Sequence, residues 1–353
     1  MIINQWVPAA HKGDAVGDSA RRVRDLLRAM GHDSELYAMT IDDGLCDDVR
    51  PFTDESARAG DVTILHFAIS SPMTEAFASL GSRRVLQYHN VTPPEYFAAW
   101  DPAIFRLTSM ARRELTTLAR RVDLALGDSE YNRQELETLG FGSTGVFPIA
   151  VDTGRITAPV ERPALDRILD DGTVNFLFVG RIAPNKKIED HIRLAEHYRR
   201  YVDTDCRFIF AGRVDAVPKY YSMVRFLVLH YGLQDRVLFT GPVPDEELGV
   251  YYRHAAAYIS MSEHEGFCVP LIESMAADVP VLAYAAAAVP DTLGGAGVQF
   301  APKDLEFAAE LLGELTFNDD LRAQVVAGQR KRLADFGDAR IRRELDSLLH
   351  QLS

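Results

Sequence analysis

Residues 176–192 read FLFVGRIAPNKKIEDHI. An apolar run ends at Gly180, a cation follows at once in Arg181, and Lys186 and Lys187 precede a stretch of helical character, Glu189–Tyr201. A short continuous apolar run that gives way to a helix reads as a buried strand of a parallel sheet. The same rhythm repeats on both sides. Downstream, Arg207–Ala211, Val237–Thr240, Ala257–Met261 and Val281–Tyr284 read as strands, with Lys219–Tyr231 among the helices between them. Upstream, Ile2–Trp6, Glu35–Met39, Val62–Phe67, Arg84–Tyr88, Leu124–Gly127 and Gly145–Pro148 read as strands. Ser19–Met30, stopped by Gly31, and Arg106–Arg121 carry apolar residues at helical spacing.

Strands alternating with helices imply an α/β fold with parallel sheets covered on both faces. The stretch 151–172, with Pro159, Pro163 and several charges, interrupts the rhythm and reads as a linker. A chain of 353 residues is comfortable for two domains. The expectation is two Rossmann-like, doubly wound domains facing a central cleft: residues 1–150 and residues 173–337. The amphipathic helix at 338–353 is expected to pack back on the first. Ligands of such sheets lie beyond the carboxyl ends of the strands.

Composition narrows the function. With 47% hydrophobic and 25% charged residues the chain is ordinary for a globular protein. A net charge of −13 argues against general nucleic-acid binding, which needs a basic footprint. Cys46, Cys206 and Cys268 are far apart and lack metal-ligand spacing, which suits a reducing compartment. MIINQWVPAAHKGD lacks the basic start and apolar run of a leader, and no apolar run of about 18 residues occurs. The expected location is cytoplasmic, with peripheral contact at the inner face of the membrane as an open alternative.

The second informative stretch is SMSEHEGFCVPLIESMA, residues 260–276. A strand ends near Met261, a loop holds Glu263, His264, Glu265 and Gly266, and a helix opens near Pro270. Backbone amides of Phe267, Cys268 and Val269 at that helix start could meet an anion. Carboxylates such as Glu265 and Glu273 can accept hydrogen bonds from sugar hydroxyls; the plainer reading makes them a capping acid and a solvated helix residue. Arg181 and Lys186 are placed for a phosphate at a strand's carboxyl end, Arg181 with bidentate capacity; the plainer reading is a solvated basic loop.

Gly180–Arg181, Lys186 and the Glu265/Glu273 pair in EGFCVPLIESMA resemble the retaining glycosyltransferases of family 4, which have the GT-B fold. The run DVPVLAYAAAAVPDTLGGAGVQF also fits, and KGDAVGD, GHDSELY and LGDSEYNRQEL resemble that family's N-terminal domain more loosely. The resemblance implies that Arg181 and Lys186 bind the diphosphate of a UDP- or GDP-sugar. It implies that Glu265 holds donor-sugar hydroxyls with the backbone of Gly180, Gly266, Phe267, Cys268 and Val269 nearby. Glu273 would hold the ribose, and the segment Thr240–Val243 would read the base. His89 would face the donor sugar, and Gly13 and Gly17 would let the first loop approach the phosphates. No metal or other cofactor is implied.

Three positions depart from the family pattern: Asp14 stands where a second glycine is usual, and Lys187 and Cys268 where glycine is frequent. The implied reaction is retaining hexosyl transfer to a hydroxyl, on a glycan or lipid-linked intermediate of cell-envelope or polysaccharide synthesis. Arg21, Arg22, Arg24 and Arg28 on one helix, and Arg106, Arg112, Arg113, Arg120 and Arg121 on another, read either as solvated faces or as a dock for anionic lipid. A nucleotide-sugar epimerase and a catalytically idle nucleotide-sugar-binding protein are the alternatives. A dinucleotide dehydrogenase is disfavoured because no Gly-x-Gly-x-x-Gly follows the first strand.

Overall fold

A computed structural model describes residues 1–352. The chain divides into two compact units. The first comprises residues 1–95, 102–152 and the segment from Phe336 onward; the second comprises residues 96–101 and 153–335.

In the first unit, strands β1 (Ile3–Ala10), β2 (Leu36–Ile41), β3 (Arg50–Pro51), β4 (Val62–Phe67), β5 (Arg83–Tyr88), β6 (Leu124–Gly127) and β7 (Thr144–Val146) form one parallel sheet. Its order is β3-β2-β1-β4-β5-β6-β7. Helices α1 (Ala15–Ala29), α2 (Met73–Ala78), α3 (Pro102–Leu118) and α4 (Glu130–Thr138) connect the strands. Alternation along each strand sends side chains to opposite faces. Val62 and Ile64 of β4 join Val23, Leu26 and Leu27 of α1 on one face, while Leu65 and Phe67 join Leu115, Leu118 and Leu136 on the other. The C-terminal helix, Asp338–Leu352, completes the first face with Ile341, Leu345, Leu348, Leu349 and Leu352.

The first loop is shorter than its glycines suggest. α1 begins at Ala15, not Ser19, because Asp14 caps it: Asp14 Oδ2 accepts from the Gly17 amide at 3.1 Å. Such a cap is worth about 1 kcal/mol. Gly13 remains in the loop with φ +74°, whereas Gly17 lies in the first helical turn.

In the second unit, β8 (Val174–Val179), β9 (Cys206–Ala211), β10 (Val237–Gly241), β11 (Ala255–Ser260), β12 (Val281–Tyr284) and β13 (Val298–Phe300) form a parallel sheet of order β10-β9-β8-β11-β12-β13. Residues 151–172, expected as a linker, carry helices α5 (Gly154–Thr157) and α6 (Pro163–Leu169). Pro163 sits in the first turn of α6, where its missing N–H costs nothing, and Arg253 grips Asp166 at 2.8 Å. Then follow α7 (Ile188–Tyr201), α8 (Pro218–His230), α9 (Asp245–Arg253), α10 (Val269–Ala276), α11 (Val289–Leu293), α12 (Leu305–Phe317) and α13 (Asp319–Leu333).

Both sheets reverse their strand order beside the first strand: between β1 and β4 in one unit, and between β8 and β11 in the other. Loops leaving the two strands at such a reversal run apart, which opens a crevice at their carboxyl ends. In the second unit the floor of that region is backbone. Gly180 and Gly212 have φ of +149° and +142°, and a Cβ on Gly212 would lie 2.2 Å from the Gly180 carbonyl oxygen. Gly212→Ala is therefore expected to destabilise the protein by about 1–3 kcal/mol and to displace the Gly180–Arg181 turn. Urea unfolding checks the first effect; an unchanged midpoint would show that the two turns separate freely.

Candidate functional site

The loops after β8 and β11 carry the cluster. After β8 the chain turns at Gly180, presents Arg181, and forms a short 3₁₀ turn, Pro184–Lys186. Lys187 adopts a left-handed conformation, φ +51°, immediately before α7. After β11, Ser262 to Cys268 lead into α10, and Cys268 takes φ +70°. Glycine meets these two conformations without strain, so the lysine and cysteine are held there by their surroundings.

Those surroundings are a lattice between the two loops. The Glu263 amide donates to the Asn185 carbonyl at 2.9 Å, and Asn185 Nδ2 donates to the His264 carbonyl at 3.0 Å. Lys186 Nζ donates to both oxygens of Glu265 at 2.6 Å. Lys303 Nζ contacts Asp190, Glu263 and the Met261 carbonyl, each at 3.0 Å, and lies 4.4 Å from the centre of the Tyr284 ring. The far side of the turn is clamped by α11: Thr292 Oγ1 donates to the Phe267 carbonyl and the Ala288 amide to that of Glu265.

His191, on α7, ties the same loops from below. Its Nδ1 is 3.1 Å from the Lys187 carbonyl, and its Nε2 is 3.3 Å from the Ile259 carbonyl and 3.4 Å from the Met261 amide. A neutral ring with its hydrogen on Nδ1 serves the Lys187 carbonyl and the Met261 amide and leaves no hydrogen on Nε2 for the Ile259 carbonyl. Burial disfavours the charged form and lowers the pKa from 6.5 to about 4. The folded value lies below the unfolded one, so the stabilisation is complete above pH 6.5 and is lost as pH falls toward 4. It amounts to about 3 kcal/mol at most. The stability advantage of the wild type over His191→Asn is expected to narrow between pH 7 and pH 4.5 in urea unfolding; a constant gap would contradict it.

Arg181 differs from every other cation here. It is exposed and has no hydrogen bond or ion pair among the described residues. Lys186 spends two of its three N–H bonds on Glu265 and keeps one. The amides of Cys268 and Val269 open α10 without intrahelical acceptors, as at any helix N-terminus. A guanidinium without a partner, an ammonium with one N–H to spare and helix-opening amides are each groups able to bind an anion. Val243, half-buried in the loop between β10 and α9, belongs to the same carboxyl edge of the sheet.

Glu273 does not share this cation set. It is buried in α10, where Arg155 Nη2 donates to Oε1 at 2.6 Å and Tyr252 OH donates to Oε2 at 2.9 Å. Burial and the neighbouring carboxylate raise the Tyr252 pKa well above its usual value, so the phenol keeps its hydrogen. Each carboxylate oxygen still has capacity for a further donor. Arg155 lies in the stretch read as a linker, and nothing in its local sequence marks it. Asn185 and His191 could have been suspected from their places beside the lysines, Tyr252 and Lys303 only from the folded chain.

In the first unit, Gly13, Gly17 and His89 lie at carboxyl ends of the sheet, but two of them have internal occupations. The Gly17 amide is taken by Asp14. His89 has a nearly buried ring with both nitrogens engaged, by His66 at 2.8 Å and Asp128 at 2.9 Å. The basic face expected on α1 is neutralised: Arg21, Arg22, Arg24 and Arg28 pair with Asp18, Asp338, Asp48 and Glu35. On α3, Arg112 and Arg121 are paired, while Arg106, Arg113 and Arg120 are exposed without carboxylate partners among the described residues.

Comparison with known proteins places this geometry. Residues 166–332 match the family of glycosyl transferases group 1. D-inositol 3-phosphate glycosyltransferase of Frankia alni is 32% identical over 206 residues, which cover 54% of this chain and 48% of that protein. The chain thus spans about half the length of that relative. Among solved structures, sucrose-phosphate synthase from Thermosynechococcus elongatus superposes with a TM-score of 0.76 at 19% identity, over 100% of this chain and 99% of its own. HepE of Anabaena, in complex with UDP-glucose, gives 0.77 at 16% identity over 99% of both chains. The fold is GT-B: two Rossmann-like α/β units in one chain.

Proposed function

We propose that this chain is a retaining glycosyltransferase of the family 4 type, which moves a hexosyl group from a UDP- or GDP-sugar to a hydroxyl acceptor. The observation that carries the reading is the free guanidinium of Arg181, on the same loop as Lys186, whose ammonium pairs with Glu265 at the β8/β11 reversal. The group 1 match spans the same loops, and HepE binds UDP-glucose on the same fold.

Transfer breaks the bond between the anomeric carbon and the diphosphate. Negative charge grows on the leaving group as the sugar becomes oxocarbenium-like. Positive groups already in place stabilise that charge without reorganising, usually the largest contribution to such a reaction. Arg181, the remaining N–H of Lys186 and the amides at Cys268 and Val269 fill this role. Glu265, fixed by Lys186, accepts from sugar hydroxyls, and Glu273, fixed by Arg155, from the ribose. Retention needs no enzyme nucleophile when the leaving phosphate takes the acceptor's proton. No metal or other cofactor enters this scheme.

The acceptor is a glycan or a lipid-linked intermediate of envelope or polysaccharide synthesis, a reading supported by relatives such as the lipopolysaccharide core mannosyltransferase of Rhizobium leguminosarum. Arg106, Met110 and Arg113 follow one another at helical spacing on α3, with Phe105 and Leu107 also exposed, which supports peripheral contact with anionic lipid. Sedimentation with anionic vesicles at low and high salt tests this; salt-insensitive or absent binding removes it.

The decisive experiment is a thermal-shift screen of UDP- and GDP-sugars, followed by product analysis with and without acceptor. A transferase gives free nucleotide diphosphate and an α- or β-linkage matching the donor's own configuration. Epimerised donor without acceptor would make the chain an epimerase, and absence of any binding would end the proposal.

A further inference from the structure

Four side chains of the first unit are joined across adjacent strands, in the spatial order β1, β4, β5, β6. Gln5 of β1 donates from Nε2 to the Ala20 carbonyl at 3.1 Å, which turns its Oε1 toward His66. His66 Nε2 lies 2.9 Å from that oxygen, and His66 Nδ1 lies 2.8 Å from His89 Nε2. His89 Nδ1 lies 2.9 Å from Asp128 Oδ2. The far oxygen of Asp128 accepts from Gln87 Nε2 at 2.7 Å, and Gln87 Nε2 also donates to the Phe147 carbonyl at 2.8 Å, which fixes that amide's orientation. The two imidazole planes are 7° apart with centroids 5.1 Å apart, a separation that matches the nitrogen contact plus two ring radii. The rings meet edge to edge, in line for a hydrogen bond.

Three contacts in this chain, Gln5–His66, His66–His89 and His89–Asp128, each need one hydrogen. Two neutral imidazoles bring one N–H apiece, so two hydrogens are available for three bonds. Turning the Gln5 amide would set its oxygen against the Ala20 carbonyl, so the count cannot be mended there. We infer that the Gln5–His66–His89–Asp128 cluster holds one added proton, which makes His89 an internally tethered imidazolium balanced by Asp128 rather than a base.

The Asp128 contact is the natural seat of that proton, because imidazole is intrinsically more basic than carboxylate. Burial and the positive neighbour hold the His66 pKa well below its usual value, in keeping with a neutral His66. The other charged groups around this end of the sheet, Glu135 and Arg112, are paired with each other, and Glu135 also takes the Tyr88 hydroxyl. Neither is free to neutralise Asp128 if the proton departs. A buried carboxylate would then stand uncompensated, a costly state.

His66 and Asp128 are thus positioning residues: they fix the ring of His89 and its charge. The bearing on sugar transfer rests on the function proposed above. There, His89 contributes a fixed positive charge, and the acceptor's proton must go elsewhere. The proton count itself does not rest on that reading.

The test is a nitrogen–proton correlation spectrum of the histidine rings in the ¹⁵N-labelled full chain, from about pH 6 to about pH 8, with His89→Gln identifying the signals. The expected result is one ring, lost in that variant, with hydrogens on both nitrogens throughout the range. His66 is expected to carry its hydrogen on Nε2 alone. In Asp128→Asn the doubly protonated pattern should disappear within the same range. A wild-type His89 with one bare nitrogen at pH 7 overturns the inference, and this reading needs no variant to fold. A separate assay of kcat/KM against pH in the wild type should show no acid-side loss attributable to His89; a loss that vanishes in His89→Gln would also overturn it. If no donor is turned over, the activity proposal fails while the spectrum still decides the proton count.

Discussion

Arg181→Ala is expected to lower the rate of sugar transfer on the order of 100–1,000-fold without moving the unfolding midpoint. Both halves of this expectation follow from one feature. The guanidinium is exposed and makes no hydrogen bond or ion pair among the described residues, so its removal leaves no carboxylate unpaired and opens no buried cavity. Exposed side chains of this kind change stability by less than about 0.5 kcal/mol. Lys186 cannot take over, since Glu265 already holds two of its hydrogens. Arg181→Lys should recover only part of the rate, because an ammonium lacks the planar fork that grips a phosphate in two places. Steady-state kinetics with the preferred donor, together with urea unfolding, checks the pair of outcomes. Full activity in the alanine variant would place the diphosphate elsewhere.

Arg155→Ala is expected to act in the opposite way, chiefly on stability, with a loss of about 3–5 kcal/mol. The Glu273 side chain is only 3% exposed, and after the substitution Tyr252 alone would face its charge. An unpaired buried carboxylate is among the most costly defects a core can hold. The double variant Arg155→Ala/Glu273→Gln should regain much of the loss, since its amide carries no charge. Glu273→Ala is expected to lower stability as well as donor affinity, so its binding data must be read beside its unfolding curve. An unfolding midpoint equal to that of the wild type in Arg155→Ala would show that Glu273 has other means of neutralisation.

How far the sequence discloses this protein depends on the range of the contact concerned. β4, β6 and β12 are short apolar runs bounded by loop residues, and their limits can be read directly. β1 runs on past Trp6 to Ala10 because Ala9 and Ala10 pair with Thr40 and Ile41, a fact held in β2 and not in β1. The glycines near residue 15 suggest an open loop, and one carboxylate, Asp14, turns half of it into helix. Lys186 and Glu265 are each visible as chemical residues, but their contact spans 79 positions and appears only when β8 and β11 lie side by side. Arg155 was hidden in a segment poor in pattern. His66 sits within an apolar strand, where a histidine gives no sign that its ring will bridge two neighbouring strands. Local propensity reveals elements, and topology reveals partners.

The first unit takes part of its apolar cover from the helix Asp338–Leu352, whose leucines meet Ile3, Val23 and Leu27. During synthesis the earliest portion of the chain must therefore wait while the whole of the second unit emerges from the ribosome. Over that interval a greasy strip stays open on a nascent sheet. The second unit has its own segments at hand far sooner, so it should reach its native form first, although it is made later.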